Sequence, residues 1–445
     1  MKPVEILLAI ALLLCGGAAE SQTMPHEIEP VKAPFEMPAL SRPSIPDRTL
    51  SITKTGAKQG KLSTKAIQKA IDRLAAQGGG TVVVPEGKWL TGRIQLRSNI
   101  CLNIPRGAEL HFSGDVKDYL PVVPARFEGI DIHSLGALIY ADGAENIALT
   151  GEGKLVGPEH GCELDKRQEG GISEEVGKLP LERRIYDGSN DALVFLPVFF
   201  GPMNCRNILV EGVTFERSIF WNIVPIYCEN TIIRGVSVNS HGRKRSDGID
   251  IDSSVNTLIE YTTLDCGDDC FTLKSGRGID GVNRNRPTEN VVIRHCRVKR
   301  GVGGIAIGTE TAAGVRNVYM HDCVMENPSF PFYIKTRRPR GGGAENLLVE
   351  RVTVEKSGKS AFKIDMLGSV EWLGKLAERY PSDFEGSLRP RFANLTFRDI
   401  TINDCPTLIN AKGTPEQPLE GLRFENIKSP VMTMELQDVG TMIFR

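Results

Sequence analysis

Apolar residues recur along this chain at two periods, and each period predicts an element. Ala66, Ile67, Ala70, Ile71 and Leu74 fall on one face of a 3.6-residue repeat; Ser63-Thr64 opens the segment and Gly78-Gly79-Gly80 ends it. One amphipathic helix is predicted there. From Thr81 onward the period becomes two, in short runs such as TVVVPEG and RIQLRSNICLNIPRGAELHF, each bounded by Gly, Pro or Asx residues. Ahead of the helix, residues 20–48 carry Pro25, Pro30, Pro34, Pro38, Pro43 and Pro46 with little periodicity, which predicts an extended lead-in.

The alternating runs repeat. NIALT begins at Asn146, NILVE at Asn207, NTIIR at Asn230, NTLIE at Asn256, NVVIR at Asn290, NVYMH at Asn317, NLLVE at Asn346 and NLTFR at Asn394. Each unit is an Asn at a turn, an apolar alternating strand, then a Gly- or Asx-rich corner. Such a unit cannot bury its apolar side alone, and stacking it on its neighbours makes a continuous core. Neither a four-stranded propeller blade nor a regular leucine spacing is present. The expected architecture is therefore an all-β parallel β-helix over residues 49–445, one domain, with the helix capping its first coil. The charged stretch Glu159–Asn190 and the stretch Asp365–Ser387 read as insertions outside the coil.

Composition changes this picture little. The chain has 445 residues, a formal net charge of −1, 46 Gly, 26 Pro and 6% aromatics. That suits a turn-rich β protein and supplies no global field for nucleic acid or an anionic membrane. The start is more informative. Lys2, the apolar run Ile6 to Leu14 and the small residues from Cys15 to Ala19 predict a signal peptide over residues 1–19 and an exported protein, periplasmic or extracellular. The run is too short to span a bilayer. Bulky Leu14 argues against a lipid anchor at Cys15. Nine cysteines remain after cleavage, an odd number spread through the chain, so no disulfide framework is expected. Cys296 and Cys323 each follow a repeat Asn by six residues, which predicts stacked core cysteines rather than a zinc site.

Chemistry concentrates at one corner of the repeat. Ser246-Asp247-Gly248-Ile249-Asp250 follows one strand, and Gly267-Asp268-Asp269-Cys270 comes one coil later. Coils stack at about 4.8 Å, so Asp247 and the Asp268-Asp269 pair are expected to be neighbours. Clustered carboxylates raise one another's pKa, so one can stay protonated while others ionise. Glycoside cleavage needs that division between a general acid and a base. An Asp-rich corner can also satisfy turn backbone or hold Ca²⁺.

The stretch NSHGRKRSDGIDIDSSVNTLIEYTTLDCGDDCFTLKS, Asn239 to Ser275, resembles the active-site segment of glycoside hydrolase family 28, the polygalacturonases and rhamnogalacturonan hydrolases. The likeness extends from about Ser51 to the end of the repeats. It implies a right-handed, pectin lyase-like solenoid and an inverting hydrolase of acidic pectin chains with no metal or other cofactor. By position, Asp268 would be the general acid, and Asp247 and Asp269 would hold and activate water. Three departures stand out. Arg245 stands where the family has Asn, Val302 in Gly301-Val302-Gly303-Gly304 replaces a His, and Tyr333 in Tyr333-Ile334-Lys335 replaces an Arg while Lys335 is kept. Trp221-Asn222-Ile223-Val224-Pro225 corresponds to a Trp-x-x-His-Pro element, again with Val for His.

Losing the Arg removes a bidentate carboxylate clamp that tyrosine cannot reproduce. A leaving-group subsite made of Val302 and Tyr333 would suit rhamnose, which has a methyl group and no carboxylate. The expected reaction is cleavage of the galacturonosyl–rhamnose linkage of rhamnogalacturonan. The alternatives are a polygalacturonase, exo or endo, and a non-catalytic pectin-binding β-helix. A Ca²⁺-dependent lyase shares the fold but not these Asp motifs. The basic run at Lys335, Arg337, Arg338 and Arg340, with the glycines after it, resembles a loop at the family's cleft and is expected to meet galacturonate carboxylates. Arg243, Lys244 and Arg245 form a candidate opposite bank, Lys274 a candidate substrate contact, and His241 a backbone partner rather than a catalyst. Glu310 has a binding and a turn reading of equal weight. The expected partner is an acidic plant cell-wall polysaccharide or oligosaccharide, with no nucleic acid and no membrane span, acted on by a monomer.

Overall fold

The computed structural model describes residues 23–337, 340–366, 388 and 390–445. The expected signal peptide with Cys15, Arg338, and all but the first two residues of the Asp365–Ser387 stretch lie outside the described residues.

The chain winds as a parallel β-helix whose strands form three stacked ladders. On the first, Thr49, Thr81, Cys101, Ala148, Leu209, Ile232, Leu258, Val292, Tyr319, Leu348, Thr396, Arg423 and Ile443 lie in register, each one coil above the last. The second ladder aligns Trp89, Leu110, Leu155, Phe215, Val238, Leu264, Val298, Met325, Val354 and Ile402. The third aligns Ile94, Ile139, Phe200, Ile223, Ile249, Phe271, Ile305, Phe332, Phe362, Ile409 and Met434. Inward positions of all three are apolar and nearly all are buried, so like stacks on like down the axis. Phe332 and Phe362, for example, stack with centroids 4.8 Å apart.

The repeat asparagines form a continuous ladder in the turn before the first sheet. Each holds φ between 53° and 59°, a left-handed conformation that Asn tolerates. Each side-chain amide donates to the Asn one coil below: Asn146 to Asn99 at 3.0 Å, Asn207 to Asn146 at 3.0 Å, Asn256 to Asn230 at 3.2 Å, and so on to Asn394 on Asn346 at 3.2 Å. An amide carries both donor and acceptor, so every inner rung satisfies two neighbours. Asn99, which the motif series omits, is the bottom rung.

The predicted helix is Thr64–Ala75, with Ile67, Ala70, Ile71 and Leu74 buried over the first coil. Cys296 and Cys323 lie inside the coil on successive turns, Cys323 Sγ accepting from Cys296 N at 3.5 Å. The lead-in crosses the outside of the first sheet. Ile28, Val31, Phe35, Met37 and Leu40 cover the outward apolar stripe Leu258, Val292 and Tyr319, and Ile28, Leu40 and Ile45 cover Leu209 and Ile232. Arg234, fully buried, ties it down by donating to the carbonyls of His26 (3.0 Å) and Pro25 (2.7 Å) while pairing with Glu260 at 2.8 Å.

Outside the third sheet lie an antiparallel hairpin, Val123–Phe127 with Ile130–Ser134, and the insertion that follows Val156. No described helix is long and apolar enough to cross a membrane.

Candidate active site

The carboxylates sit in the turn that precedes each strand of the third sheet. Ile249 is in register with Phe271, so Asp247 and Asp269, each two residues earlier, are level on adjacent coils; Gly248 N donates to Asp269 O at 2.9 Å. One coil on, Val302 N donates to Asp268 O at 2.9 Å, which puts Val302 beside the Asp pair. Glycine is required here twice. A Cβ on Gly267 would lie 1.6 Å from Arg243 O, and one on Gly303 would lie 2.6 Å from Asp269 Oδ1. Asn222, in the preceding coil, fixes the turn by giving both its backbone N–H (2.9 Å) and its side-chain amide (2.8 Å) to Asp247 O.

These residues open into a cleft of about 270 Å³ lined by Glu128, Trp221, Arg245, Asp247, Asp268, Asp269, Lys274, Val302, Gly308, Thr309, Glu310, Tyr333, Lys335, Arg337, Arg340 and Asp365. Lys335 Nζ donates to Asp269 Oδ2 at 2.7 Å and lies 4.1 Å from the centre of the Tyr333 ring. Asp269 Oδ1 has no hydrogen-bond partner among the described residues, which leaves it an acceptor for water. Asp268 accepts the N–H of Asp269 at 3.0 Å. Burial, then the charge of Asp269, pushes its carboxyl up to about 6. Burial, then Asp250 and Asp268, raises Asp247 well above the usual carboxylate range.

Two unlike walls flank the carboxylates. One is apolar: Val302 packs against Ala306, Phe330 and Tyr333 on the outer face of the third sheet, and burial pushes the Tyr333 phenol up to about 12, so it remains a hydroxyl. The other is charged and assembled from distant segments. Arg277 joins Glu128 of the hairpin (3.0 Å), Glu174 of the insertion (3.0 Å) and the carbonyl of Ile172. Arg184 pins the insertion to Asp280 at 2.7 Å, and Arg245 joins Glu128 (2.6 Å) to Gly170 O (2.8 Å). Glu174 also approaches Arg340 at 3.4 Å and Arg337 at 3.9 Å, so the insertion is bridged to the basic loop. Arg340 in turn pairs with Glu310.

The amino-acid relationships agree with this geometry. Residues 188–366 match the model for glycosyl hydrolases family 28. The chain is 28% identical over 377 residues to a probable polygalacturonase of Vitis vinifera, across 82% of this chain and 70% of that one. It is 24% identical to an endo-polygalacturonase of Pectobacterium carotovorum subsp. carotovorum, across 82% and 84%. Among solved structures, a hyperthermoactive exopolygalacturonase from Thermotoga maritima superposes with a TM-score of 0.79 and 29% identity over 91% of this chain and 93% of that one. These matches support glycoside hydrolase family 28 for this chain. It is a glycoside hydrolase with a pectin lyase-like β-helix.

The structure brings most of the family-28 candidates together. Asp247, Asp268, Asp269, Val302, Tyr333, Lys335, Arg337 and Arg340 all line the cleft; Arg338 lies outside the described residues. Arg337 lies 3.9 Å from Glu174, and burial plus the neighbouring Arg340 lower its guanidinium to about 10. The expected basic bank divides. Arg245 lines the cleft, Lys244 is exposed, and Arg243 is buried on Asp165 and the carbonyl of Pro158.

Lys274 also lines the cleft and is tied into the carboxylate cluster. Its Nζ lies 3.6 Å from Asp247, 3.3 Å from Asp250, 3.3 Å from Glu310 and 4.1 Å from the centre of the Trp221 ring, and the residue is 4% exposed. Three carboxylates already surround it. Glu310 resolves as a cleft residue: burial would raise its carboxyl, but Lys274 and Arg340 hold it well below the usual range. His241 Nδ1 pairs with Cys266 O at 2.9 Å, the backbone role expected of it. Sequence reading missed Glu128, Glu174 and Arg277, which no local motif marks. It also missed Asp250, which is visible within the DGID run.

Proposed function

We propose that this hydrolase cleaves α-galacturonosyl linkages of pectin with inversion, and that its preferred bond is the galacturonosyl–rhamnose linkage of rhamnogalacturonan. Asp268, with its raised pKa, protonates the leaving oxygen. Asp247 and the free oxygen of Asp269 orient and deprotonate the attacking water, while Lys335 compensates Asp269. Arg337 receives a galacturonate carboxylate. The observation that carries the linkage is the Val302–Phe330–Tyr333 patch beside the acid, which offers apolar surface and a hydroxyl where a second carboxylate would need a cation.

A second reading, hydrolysis of homogalacturonan, draws on the polygalacturonase relatives and on the retained Lys335. Chromatography of products from rhamnogalacturonan and from polygalacturonan, with Asp268→Asn as the blank, separates the two. Saturated products chiefly from rhamnogalacturonan support the first, and faster turnover of polygalacturonan overturns it in favour of the second. The bridge from Glu174 to Arg340 supports attack from a chain end, since a polymer cannot thread a wall closed by ion pairs. Viscosity falling slowly relative to released reducing ends is the expected signature. Export directed by residues 1–19 belongs to the same proposal, and N-terminal sequencing of the mature protein tests it.

A further inference from the structure

Asp250 is the carboxylate that the catalytic trio leaves unexplained. It points outward from the strand Ile249–Asp252, between the inward-facing Ile249 and Ile251, yet it is fully buried. Neither of its oxygens accepts a hydrogen bond from a described residue, and the cation beside it is Lys274 Nζ at 3.3 Å. The groups facing it can be counted. Asp247 lies on its own turn, Lys274 on the next strand, Asp268 and Asp269 on the next turn, and Glu310 across Lys274. Among the described residues, the preceding coil offers no charged group: Val224 is level with Asp250, and Trp221 and Asn222 lie before it. Asp252, at the far end of the strand, is taken by Arg126 at 2.8 Å.

Lys335 serves Asp269, so two cations, Lys274 and Arg340, face three carboxylates: Glu310, Asp247 and Asp250. Arg340 also meets Glu174. One buried negative charge is in excess, and burying an uncompensated charge is costly enough that the group takes up a proton instead. Glu310, gripped by both cations, is the ionised member. The proton therefore belongs to the Asp247–Asp250 pair.

We propose that Asp250 is a positioning residue that shares one proton with Asp247, so that the pair carries a single negative charge in a site one cation short and Asp247 acts as the base when that charge rests on it. Asp250 acts through Asp247 and does not touch substrate. Burial raises both carboxyls, that of Asp250 to about 7 against the opposing pull of Lys274 and that of Asp247 well above the usual range, and the two aspartates titrate as a unit. The inference rests on the hydrolytic reading of the Asp trio.

Asp250→Asn keeps the shape and replaces the shared proton with a permanent N–H donor. The expected result is a folded, active enzyme whose acid limb of kcat/KM against pH lies about one unit or more below that of the wild type. Lys274→Met removes the cation and is expected to move the limb the other way, toward higher pH. A folded Asp250→Asn enzyme with an unmoved limb, or with no activity, overturns the proposal. Carboxyl carbon NMR of the wild type gives a readout that needs no turnover. One of the two carboxyls should keep a proton at pH about 6, and two carboxyls titrating independently in the ordinary range, at about 4, overturn the proposal. A wild type that turns over neither polysaccharide, with the shared proton present, faults the functional reading and leaves this one standing.

Discussion

The charged wall of the cleft gathers Glu128, Glu174 and Arg277, three residues from a hairpin, an insertion and a loop, held by guanidiniums almost removed from water. The apolar wall needs one sheet and the ordinary alternation of its strands, which turns Ala306 and Tyr333 outward in register one coil apart. The comparison teaches how one scaffold sets two kinds of selectivity. Charge and closure have to be imported by loops, because an outward strand position meets only its own column. Absence of charge can be written directly into the strands.

The boundary between the walls should give the largest effect. Asp268→Asn is expected to lower kcat by about 10³-fold or more while binding persists, since a positioned general acid contributes about 10²–10⁴-fold; equilibrium binding to oligosaccharide beside turnover checks both parts. The wild-type rate should fall as pH rises through about 6, where Asp268 loses its proton. Stability should follow in the same direction. A carboxyl raised from 3.8 to about 6 stabilises the fold fully below about 4 and loses that contribution as pH climbs through about 6, visible in Tm against pH.

Arg277→Met tests the charged wall. It leaves Glu128 and Glu174 short of a buried partner and should cost about 3–5 kcal/mol by denaturant unfolding. If the wall enforces attack from chain ends, the products should also lengthen. Arg337→Ala is expected to raise KM for acidic oligosaccharides about tenfold, near 1.4 kcal/mol, with kcat little changed. An unchanged KM would return Arg337 to a structural role. Val302→His tests the apolar wall by adding polarity to the patch. The ratio of rhamnogalacturonan to polygalacturonan turnover should fall several-fold, and an unmoved ratio would detach Val302 from specificity.

Much of this was legible in the chain, for a local reason. Strand alternation has period two, coils add in register, and a turn Asn with positive φ recurs, so the NxxxE and NxxxR runs place each coil without reference to any other. The one-coil spacing of DGID and GDDC fixes that Asp247 and Asp269 are neighbours by the same logic. Asp250 lies in the same run, but alternation says only that it points outward, and outward positions are ordinarily wet. Its burial comes from what packs over the strand.

What the sequence determined by itself is therefore the coil, the ladder, the capping helix and the corner where the carboxylates gather, all set by short periodicities in which near neighbours decide. Tertiary structure alone decided that Lys274 faces three carboxylates, and that the proline-rich lead-in lies on Leu258, Val292 and Tyr319. It alone brought Glu128, Glu174 and Arg277 to one wall. Each of these joins residues far apart in the chain through the reach of a loop or a long side chain. No repeat carries that reach, so only the closed fold reveals the contact.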